Sequence, residues 1–539
     1  RNYLIVCISM SNLFAIFFIF PFDSAPFWIN NKDKLLGAFN LKLLSEYDSL
    51  ICINLDIAAP TFNKKLPIRN LFDLQDAIKL TVGLKKRDFN IDRLPWLAYK
   101  CFEKVKFTEE DENCINLVKD IDQGKFKSFN EFNDVKPAYF DTRILKMILD
   151  LYDLASENLR SLDLYDQFVN VEMKLKIKLL TNNLSGLRYD IKAVELKLNE
   201  LYQEYYFCVK RLELEFEIFI PPNLNRIQAE TFNRFLSNEE KEELQATGIS
   251  NLLENYHGAN RILELLKKAH RSKKDFSELL RIRSLISGKC KLVYDVFGTI
   301  TGRMQISSFG IQYLRRSSRS VFVPHNGYSF IYADFSQFEP GIIISLINDA
   351  DLLKIYDTTD IYESLAKSIG ENFSRERAKG YLLSYIYGKS LDKIEAEIIA
   401  ECGSEANGKI GLFLASFNKM EEWKKSIVEK AKEEKMFRLG KGYIRKIKDT
   451  DSVNNLNRWG PNHIVQSTAS RIFKNSLIKI LESLPDARLL VPMHDAVLIE
   501  CENDKVDGYK EIIRSAMEIS FKNSCNNVIP KISFKQFDI

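Results

Sequence analysis

Two aspartates that are each enclosed by apolar residues constrain this chain most strongly. Asp334 lies near the end of SFIYADFSQFE (329–339), and Asp495 lies within VPMHDAVLIE (491–500), directly after His494. Short apolar runs of this kind predict buried strands. Two such strands, brought together by the fold, could hold a pair of divalent ions about 4 Å apart for phosphoryl transfer. The chain is therefore expected to join segments that lie far apart in sequence.

The composition is that of a multidomain globular protein. The chain has 539 residues, of which 45% are hydrophobic and 28% charged. A chain of this length is too long to fold around one hydrophobic core, which predicts about three or four domains. The formal net charge of +4 is only mildly basic, so binding to a polyanion depends on where Lys and Arg cluster. Nine cysteines without a CxxC pair predict neither a disulfide framework nor a zinc site, and they indicate a reducing compartment.

The first residues pose a choice between a membrane helix and a hairpin. The chain begins with Arg1 rather than Met, which indicates a fragment or a processed chain. Residues 3–22 form a mostly apolar segment that is long enough to span a bilayer as a helix. Ser9 interrupts them, and Met10-Ser11-Asn12 has the composition of a turn between two strands. We therefore predict a β-hairpin and no membrane partner.

The segments up to residue 180 indicate an α/β region followed by helices. Within residues 1–150, an apolar strand is predicted at 50–55 and a helix at 71–84. Further helices are predicted at 144–154 and 167–180.

A long amphipathic helix of about 25 residues is predicted to begin at Asp190 and to end before Pro221-Pro222. Both a protruding arm and a helix in an ordinary bundle remain open for it. Residues 236–290 are predicted as charged helices, with a basic cluster that is typical of a solvated face. This cluster contains Lys267, Lys268, Arg271, Lys273 and Lys274.

Between the two acid segments, RERAKGYLLSYIYG (375–388) repeats with the period of a helix. Arg375, Lys379, Leu383 and Tyr387 recur every four residues and share one helix face. This face is interpreted either as a platform for phosphate and base or as an ordinary helix with snorkelling cations and a core tyrosine.

Two later segments suit contact with nucleic acid. Residues 435–448 interleave Lys and Arg with Phe437 and Tyr443, a pattern that could follow a phosphate backbone. Asn462 and Gln466 lie one helical turn apart and could reach base edges in a minor groove.

The order of these segments resembles the family A DNA polymerases, the group of bacterial DNA polymerase I and its Klenow fragment. The family's first motif, roughly DYSQIELR, is similar to DFSQFEP (334–340), and its third, VHDE, to His494 and Asp495. Its second motif, RxxxKxxxFxxxYG, is similar to 375–388. FGTITGR (297–303) resembles the family's TGR element, and Leu439 to Ile444 resembles a shortened LGRRRYL segment. The resemblance covers about 165–539.

The resemblance implies a multidomain α/β and α+β fold, a right-hand polymerase with palm, fingers and thumb and an N-terminal degenerate 3′-5′ exonuclease-like (RNase H-like) domain. The implied domains are an inactive exonuclease-like domain at 1–160, the start of palm and thumb at 161–290, palm with the first metal-binding motif at 291–348, fingers at 349–436, and palm with the second metal-binding motif at 437–539.

The resemblance also implies an activity and its site. The chain would add deoxynucleoside triphosphates to the 3′ end of a primer on a DNA template. The implied catalytic residues are Asp334, Asp495 and Lys379, and two Mg²⁺ ions, which Mn²⁺ can replace, would be bound by both aspartates and the backbone of Phe335. The implied nucleotide-binding residues are Arg375, Lys379, Leu383, Tyr387, Gln337 and Glu339, and the implied DNA-binding residues are Arg303, Gln312, Asn462, Gln466 and His494.

Individual roles follow from the same resemblance. Lys379 would protonate the leaving pyrophosphate, and Tyr387 would stack near the incoming base. Glu339, with Tyr387, would exclude the 2′ hydroxyl of ribonucleotides. The chain is expected to act as a monomer, in the cytoplasm or nucleoid or in an organelle that contains DNA.

Three positions depart from the family pattern. Pro340 and Ala496 replace an apolar residue and a glutamate, and Leu383 replaces an aromatic residue. Loss of that aromatic predicts altered nucleotide affinity and analogue discrimination, which steady-state kinetics of Leu383→Phe would check.

The N-terminal part resembles the family's proofreading exonuclease domain around NLFDLQDAIKLTVG (70–83). Asp56 is retained, but Ala58 lies where a second acid is expected. Asp141 matches the last acid, whereas Pro137 replaces its tyrosine partner. We therefore predict an exonuclease-like fold without proofreading.

Two other functions remain as alternatives. A single-subunit RNA polymerase would share the two aspartates, but Glu339 argues against it because only deoxynucleotide selection needs a sugar gate. A non-catalytic nucleic-acid-binding scaffold derived from a polymerase is disfavoured by the retention of Asp334, Lys379 and Asp495.

Overall fold

The computed structural model describes most of the chain. The described residues are 4–8, 14–19, 26–30, 36–38, 49–52, 70–83, 107–122, 125, 129–182, 186–220, 233–256, 260–285, 287–370, 373–403 and 418–538. The predicted turn at 10–12, Asp56, Ala58 and the side chain of Asp141 lie outside this description.

A six-stranded sheet forms the N-terminal part. Its strands are β1 (Leu4–Ile8), β2 (Phe14–Ile19), β3 (Pro26–Asn30), β4 (Leu36–Ala38), β5 (Ser49–Cys52) and β6 (Asn70–Asp73). Their order is β4-β3-β2-β1-β5-β6, with β5 and β6 parallel. β1 and β2 pair antiparallel, which confirms the predicted hairpin. In the described part of the chain, no helix is both long and apolar enough to cross a membrane.

The helix predicted at 71–84 was placed too early. Residues 70–73 form β6, and helix α1 (Leu74–Val82) begins only after Asp73. The Asp73 side chain accepts hydrogen bonds from the backbone N–H groups of Gln75 and Asp76, so it caps the helix at that point.

Helices connect this sheet to the rest of the molecule. They are α2 (Glu109–Asp122), α3 (Phe129–Val135), α4 (Phe140–Ser161), α5 (Tyr165–Gln167) and α6 (Lys174–Asn182), with a π-helical turn at Phe168–Met173. The helices predicted at 144–154 and 167–180 are confirmed, the first as part of α4.

A buried ion-pair cluster ties α6 to the N-terminal sheet. The ammonium of Lys176 lies 2.7 Å from carboxylate oxygens of both Asp73 and Asp76, and all three side chains are buried. Burial raises the pKa of Asp76, but the charges of Lys176 and Lys79 outweigh it and hold that pKa below its usual range.

The long helix predicted from Asp190 is α7 (Ile191–Phe216), which Asp190 caps. It packs along α10 (Arg261–Arg283), after the short helices α8 (Asn238–Thr247) and α9 (Ile249–Asn255). The bundle interpretation therefore holds for one face of α7. The basic cluster lies on α10, where Lys268, Arg271 and Lys274 are exposed.

The central sheet joins the two acid segments. Its strands are β11 (Tyr328–Ser336), β14 (Arg488–Pro492), β15 (Ala496–Glu502) and β16 (Lys531–Lys535), in the antiparallel order β14-β15-β11-β16. The Phe335 ring packs near Phe521 of α18 (Val506–Lys522) on one face. Because side chains alternate along a strand, Asp334 projects from the opposite face.

The remaining elements are short strands and helices. Short strands are β7 (Leu187–Arg188), β8 (Lys289–Cys290), β9 (Tyr294–Asp295), β10 (Gln305–Ile306), β12 (Met436–Phe437) and β13 (Arg445–Lys446). The helices are α11 (Phe338–Ile347), α12 (Ala350–Thr358), α13 (Ile361–Ile369), α14 (Arg375–Ile386), α15 (Leu391–Cys402), α16 (Asn418–Glu434) and α17 (Val453–Ser483).

The aromatic residues within 435–448 lie in the core. Phe437 and Tyr443 are buried, so they do not accompany the exposed cations of this segment. The expectation that they interleave with cations along a nucleic acid is wrong for the two aromatics, because hydrophobic packing takes them inward.

Candidate active site

The central sheet places Asp334 and Asp495 beside each other. Asp495 is the turn residue immediately before β15, and the N–H of Phe335 donates a hydrogen bond of 2.9 Å to the Asp495 carbonyl. Asp495 keeps an exposed surface at this bend. Desolvation of its carboxyl by the protein atoms around it, with the negative charges of Asp334 and Glu339, raises the pKa of Asp495 to about 6. The paired acids therefore favour a bound cation.

The donor set fits magnesium. Among the described residues, no group of three or more His, Cys, Asp or Glu side chains could hold a metal by itself. Mg²⁺ is commonly held by one or two carboxylates together with phosphates of the substrate, so Asp334 and Asp495 suffice. The backbone ligand at Phe335 stays a prediction.

Helix α14 brings two cations to one aromatic ring. Arg375 and Lys379 lie 5.2 Å and 6.0 Å from the ring centroid of Tyr362, which confirms that they share a face. Arg375 also forms an ion pair of 2.7 Å with Asp360. Lys379 is exposed, and in the described part of the chain it has no carboxylate within ion-pair distance. Leu383 is half-buried against the core.

Three predicted site residues, from three other segments, lie around Glu339. Its carboxylate accepts a hydrogen bond of 2.7 Å from Arg303 and another from the hydroxyl of Tyr387. Burial and the charge of Glu339 raise the pKa of Tyr387, while a hydrogen bond with Gln466 acts in the other direction. Tyr387 therefore remains a neutral hydroxyl that donates to Glu339.

Two polar atoms near these residues lack partners. Nδ1 of His494 and Oδ1 of Asn462 are buried without a hydrogen-bond partner within the described structure. Burial and the nearby charge of Arg303 lower the pKa of His494 to about 4, so the imidazole is neutral at pH 7. Buried polar atoms normally have partners, and a bound ligand would supply them here.

The match to a family model decides the family. The model for DNA polymerase family A matches residues 186–533, which include Asp334, Asp495 and helix α14. The chain belongs to DNA polymerase family A.

Similar family A proteins come from several organisms. DNA polymerase I of Aquifex aeolicus is 25% identical over 382 residues, covering 66% of this chain and 63% of that protein. DNA polymerase I of Caldicellulosiruptor bescii is 27% identical over 425 residues, covering 71% of this chain and 49% of that protein. The chain thus spans about half to two thirds of the length of these relatives.

A solved structure shows the same fold. It is the polymerase domain of Pol1 from M. smegmatis in complex with DNA primer-template and dNTP. It has a TM-score of 0.71 and 16% identity, and the match covers 96% of this chain and 93% of that one. The right-hand polymerase fold expected of a family A member is confirmed.

Two predicted site residues have internal partners in this family A chain. Gln337 is buried, and its Oε1 accepts a hydrogen bond of 2.9 Å from the N–H of Ile361. Gln312 is also buried and donates to the carbonyl of Pro492 at 2.6 Å. Their contacts with nucleotide and DNA stay predictions, because these side chains bind backbone groups here.

The departures from the family A motifs have structural settings. Pro340 is the third residue of α11, where a backbone N–H has no partner within the helix, so proline costs no hydrogen bond. Ala496 pairs with Asp334 across the sheet and is fully buried, which leaves no room for a glutamate without rearrangement.

Sequence reasoning missed three residues of the site. Asp360 and Tyr362 contact Arg375, and Lys535 forms an ion pair with Asp334. The sequence could have indicated Asp360 as a helix N-cap, because Asp before an apolar run typically caps a helix. Nothing in the sequence indicated its ion pair with Arg375. Lys535 had only the alternation of polar residues in KISFK, which does not show which strand lies beside it.

Proposed function

We propose that this chain is a template-directed DNA polymerase that adds deoxynucleoside triphosphates to the 3′ end of a primer. The observation that carries the proposal is the placement of Asp334 beside Asp495, with the raised pKa of Asp495. Family membership and the primer-template and dNTP bound by the similar Pol1 domain support the choice of substrates.

Asp334 and Asp495 would hold two Mg²⁺ ions. When bound, the ions supply activation of the primer hydroxyl and neutralisation of the triphosphate. Lys379 binds the triphosphate and donates a proton to the departing pyrophosphate, which its lack of a carboxylate partner in the described structure permits. Arg375, oriented by Asp360, adds a second cation on the same helix face.

The cluster around Glu339 would select the sugar. The Glu339 carboxylate is fixed by Arg303 and Tyr387, and in this position it would exclude a 2′ hydroxyl. Asn462, Gln466 and His494 would line the nascent base pair and primer terminus, and the orphaned atoms of Asn462 and His494 support this assignment.

Primer extension with Mg²⁺ tests the proposal. Purified protein should extend a DNA primer on a DNA template, and Asp495→Asn should abolish extension while primer-template binding persists. Binding without extension by the unaltered chain would favour the scaffold alternative. Preference for ribonucleotides over deoxynucleotides would favour an RNA polymerase.

We also propose that the N-terminal region, residues 1–160, is an exonuclease-like domain without proofreading. Asp73 and Asp76 lie in the segment 70–83 that resembles the family's exonuclease domain, and both form ion pairs with buried Lys176. Release of a mismatched 3′ nucleotide by the purified chain would contradict this. The other domain boundaries, at 290, 348 and 436, and a monomeric state are proposed likewise; light scattering would check the latter.

A further inference from the structure

Lys535 lies beside the proposed metal site. Its ammonium forms an ion pair with the Asp334 carboxylate. In the register of β11 and β16, Lys535 pairs with Tyr332, and Ser533 pairs with Asp334. Lys535 is therefore a diagonal neighbour of Asp334 on the same sheet face. A hydrogen bond of 3.0 Å between the hydroxyls of Ser336 and Ser533 supports this register.

We propose that Lys535 is a positioning residue that acts as a tethered counter-cation of Asp334 and competes with divalent ions for its carboxylate. A metal ion and an ammonium bound to the same carboxylate repel each other, so each weakens binding of the other. The inference rests on the proposed function, because it assigns Asp334 to a metal.

The structure gives the displaced side chain a place to go. Lys535 is 36% exposed, so its movement sacrifices little packing. A cavity of about 300 Å³ lies next to it, and Asp538 offers an alternative carboxylate there. The other residues that line this cavity include Arg319, Phe330, Tyr332 and Phe537.

The competition should be moderate. An ion pair formed by an exposed lysine stabilises its geometry only weakly. We therefore expect Lys535→Met to tighten divalent-ion binding about three- to fivefold, and Lys535→Arg, which keeps the cation, to stay within about twofold of the unaltered chain.

A Mn²⁺ titration of the full chain without DNA or nucleotide measures this directly, with free Mn²⁺ followed by electron paramagnetic resonance. Lys522→Met is the matched control, because Lys522 is exposed on α18 and its removal changes net charge equally. Asp334→Asn should abolish the gain when combined with Lys535→Met, since the two residues act through the same carboxylate.

The inference is overturned if Lys535→Met leaves Mn²⁺ binding unchanged or weaker, or if Lys522→Met tightens it equally. It is also overturned if Lys535→Met only raises the KM for nucleotide, which would make Lys535 a phosphate contact. Primer extension separates the two proposals. Extension with unchanged Mn²⁺ affinity in Lys535→Met refutes only this inference, whereas tightened Mn²⁺ binding in a chain that cannot extend primers refutes only the proposed function.

Discussion

At the scale of single residues, Glu339 is held by two other residues of the site. It binds Arg303 and Tyr387 through different carboxylate oxygens, so its orientation is fixed before any nucleotide arrives. In the proposed role beside the sugar, a carboxylate whose orientation is already fixed would exclude a hydroxyl at little entropic cost.

Glu339→Ala should raise ribonucleotide incorporation relative to deoxynucleotide incorporation by about 10- to 200-fold, the range for removing one discriminating contact. Single-nucleotide primer extension with each substrate, compared as kcat/KM, measures the ratio. Glu363→Ala, which removes an exposed carboxylate on α13, should leave the ratio unchanged. Unchanged selectivity in Glu339→Ala would remove the residue from sugar selection.

At the scale of elements, helix α14 depends on how it ends. Gly388 follows Tyr387 with φ of 93°, and a Cβ atom there would lie 2.7 Å from the Cα of Arg458 in α17. The close approach of these two helices therefore requires glycine, and it positions Tyr387 against Glu339.

Gly388→Ala should destabilise the fold by about 1–3 kcal/mol beyond the cost of the left-handed backbone alone, because the new methyl group meets backbone atoms. Gly403→Ala isolates that cost, since Gly403 has φ of 84° and no atom of the described residues lies within 4 Å of its Cβ position. Denaturant unfolding of both variants gives the comparison, and equal losses would contradict the steric argument.

A buried histidine joins α17 to the β12–β13 hairpin. Nε2 of His463 lies 3.0 Å from the carbonyl of Tyr443, and burial lowers the pKa of His463 from 6.5 to about 4. Between these two pH values, His463 binds a proton in the unfolded chain but not in the folded chain. The contribution of His463 to the stability of the folded chain is therefore complete above pH 6.5 and is lost as the pH falls towards 4.

The free energy of unfolding should fall by on the order of 3 kcal/mol across this window on account of His463. Comparing the unaltered chain with His463→Gln by denaturant unfolding at pH 7 and pH 4.5 isolates the effect. An equal pH dependence in both proteins would show that His463 does not contribute.

Elements with strong local signals were predictable from sequence, and contacts between them were not. The period of four along α14 gave its shared face, and the apolar run before Asp334 gave β11. The helix start at Leu74 was missed because the apolar residues of β6 continue the helical pattern and only the Asp73 cap separates them. The pairing of Lys535 with Asp334, and the inward turn of Gln312, depend on strand register and tertiary packing, which a single sequence does not encode locally.

At the scale of the whole molecule, the Lys176 cluster links the N-terminal sheet to helix α6. One buried ammonium pairs with two buried carboxylates that belong to β6 and α1, and Lys79 adds a second cation beside Asp76. Removing one member of such a cluster leaves unpaired charges in the interior.

Lys176→Met should therefore destabilise the chain by about 3–5 kcal/mol. Lys178→Met, on the same helix, removes a partly exposed partner of Glu482 and should cost at most about 1 kcal/mol. Thermal and denaturant unfolding compare the variants. Similar losses of unfolding free energy in both variants would mean that the buried ion pairs of Lys176 stabilise the fold no more than an exposed ion pair does.

The pairing of β11 with β15 also has a kinetic consequence. It closes a loop that contains every residue between 334 and 495, including α11 to α17. Contacts so distant in sequence form slowly, because the loop entropy is lost before the contact repays it. The acid pair therefore cannot assemble on a nascent chain until β15 has left the ribosome. A polypeptide that ends before β15 can therefore contain all of the helices α11 to α17 and still lack the pair of Asp334 and Asp495.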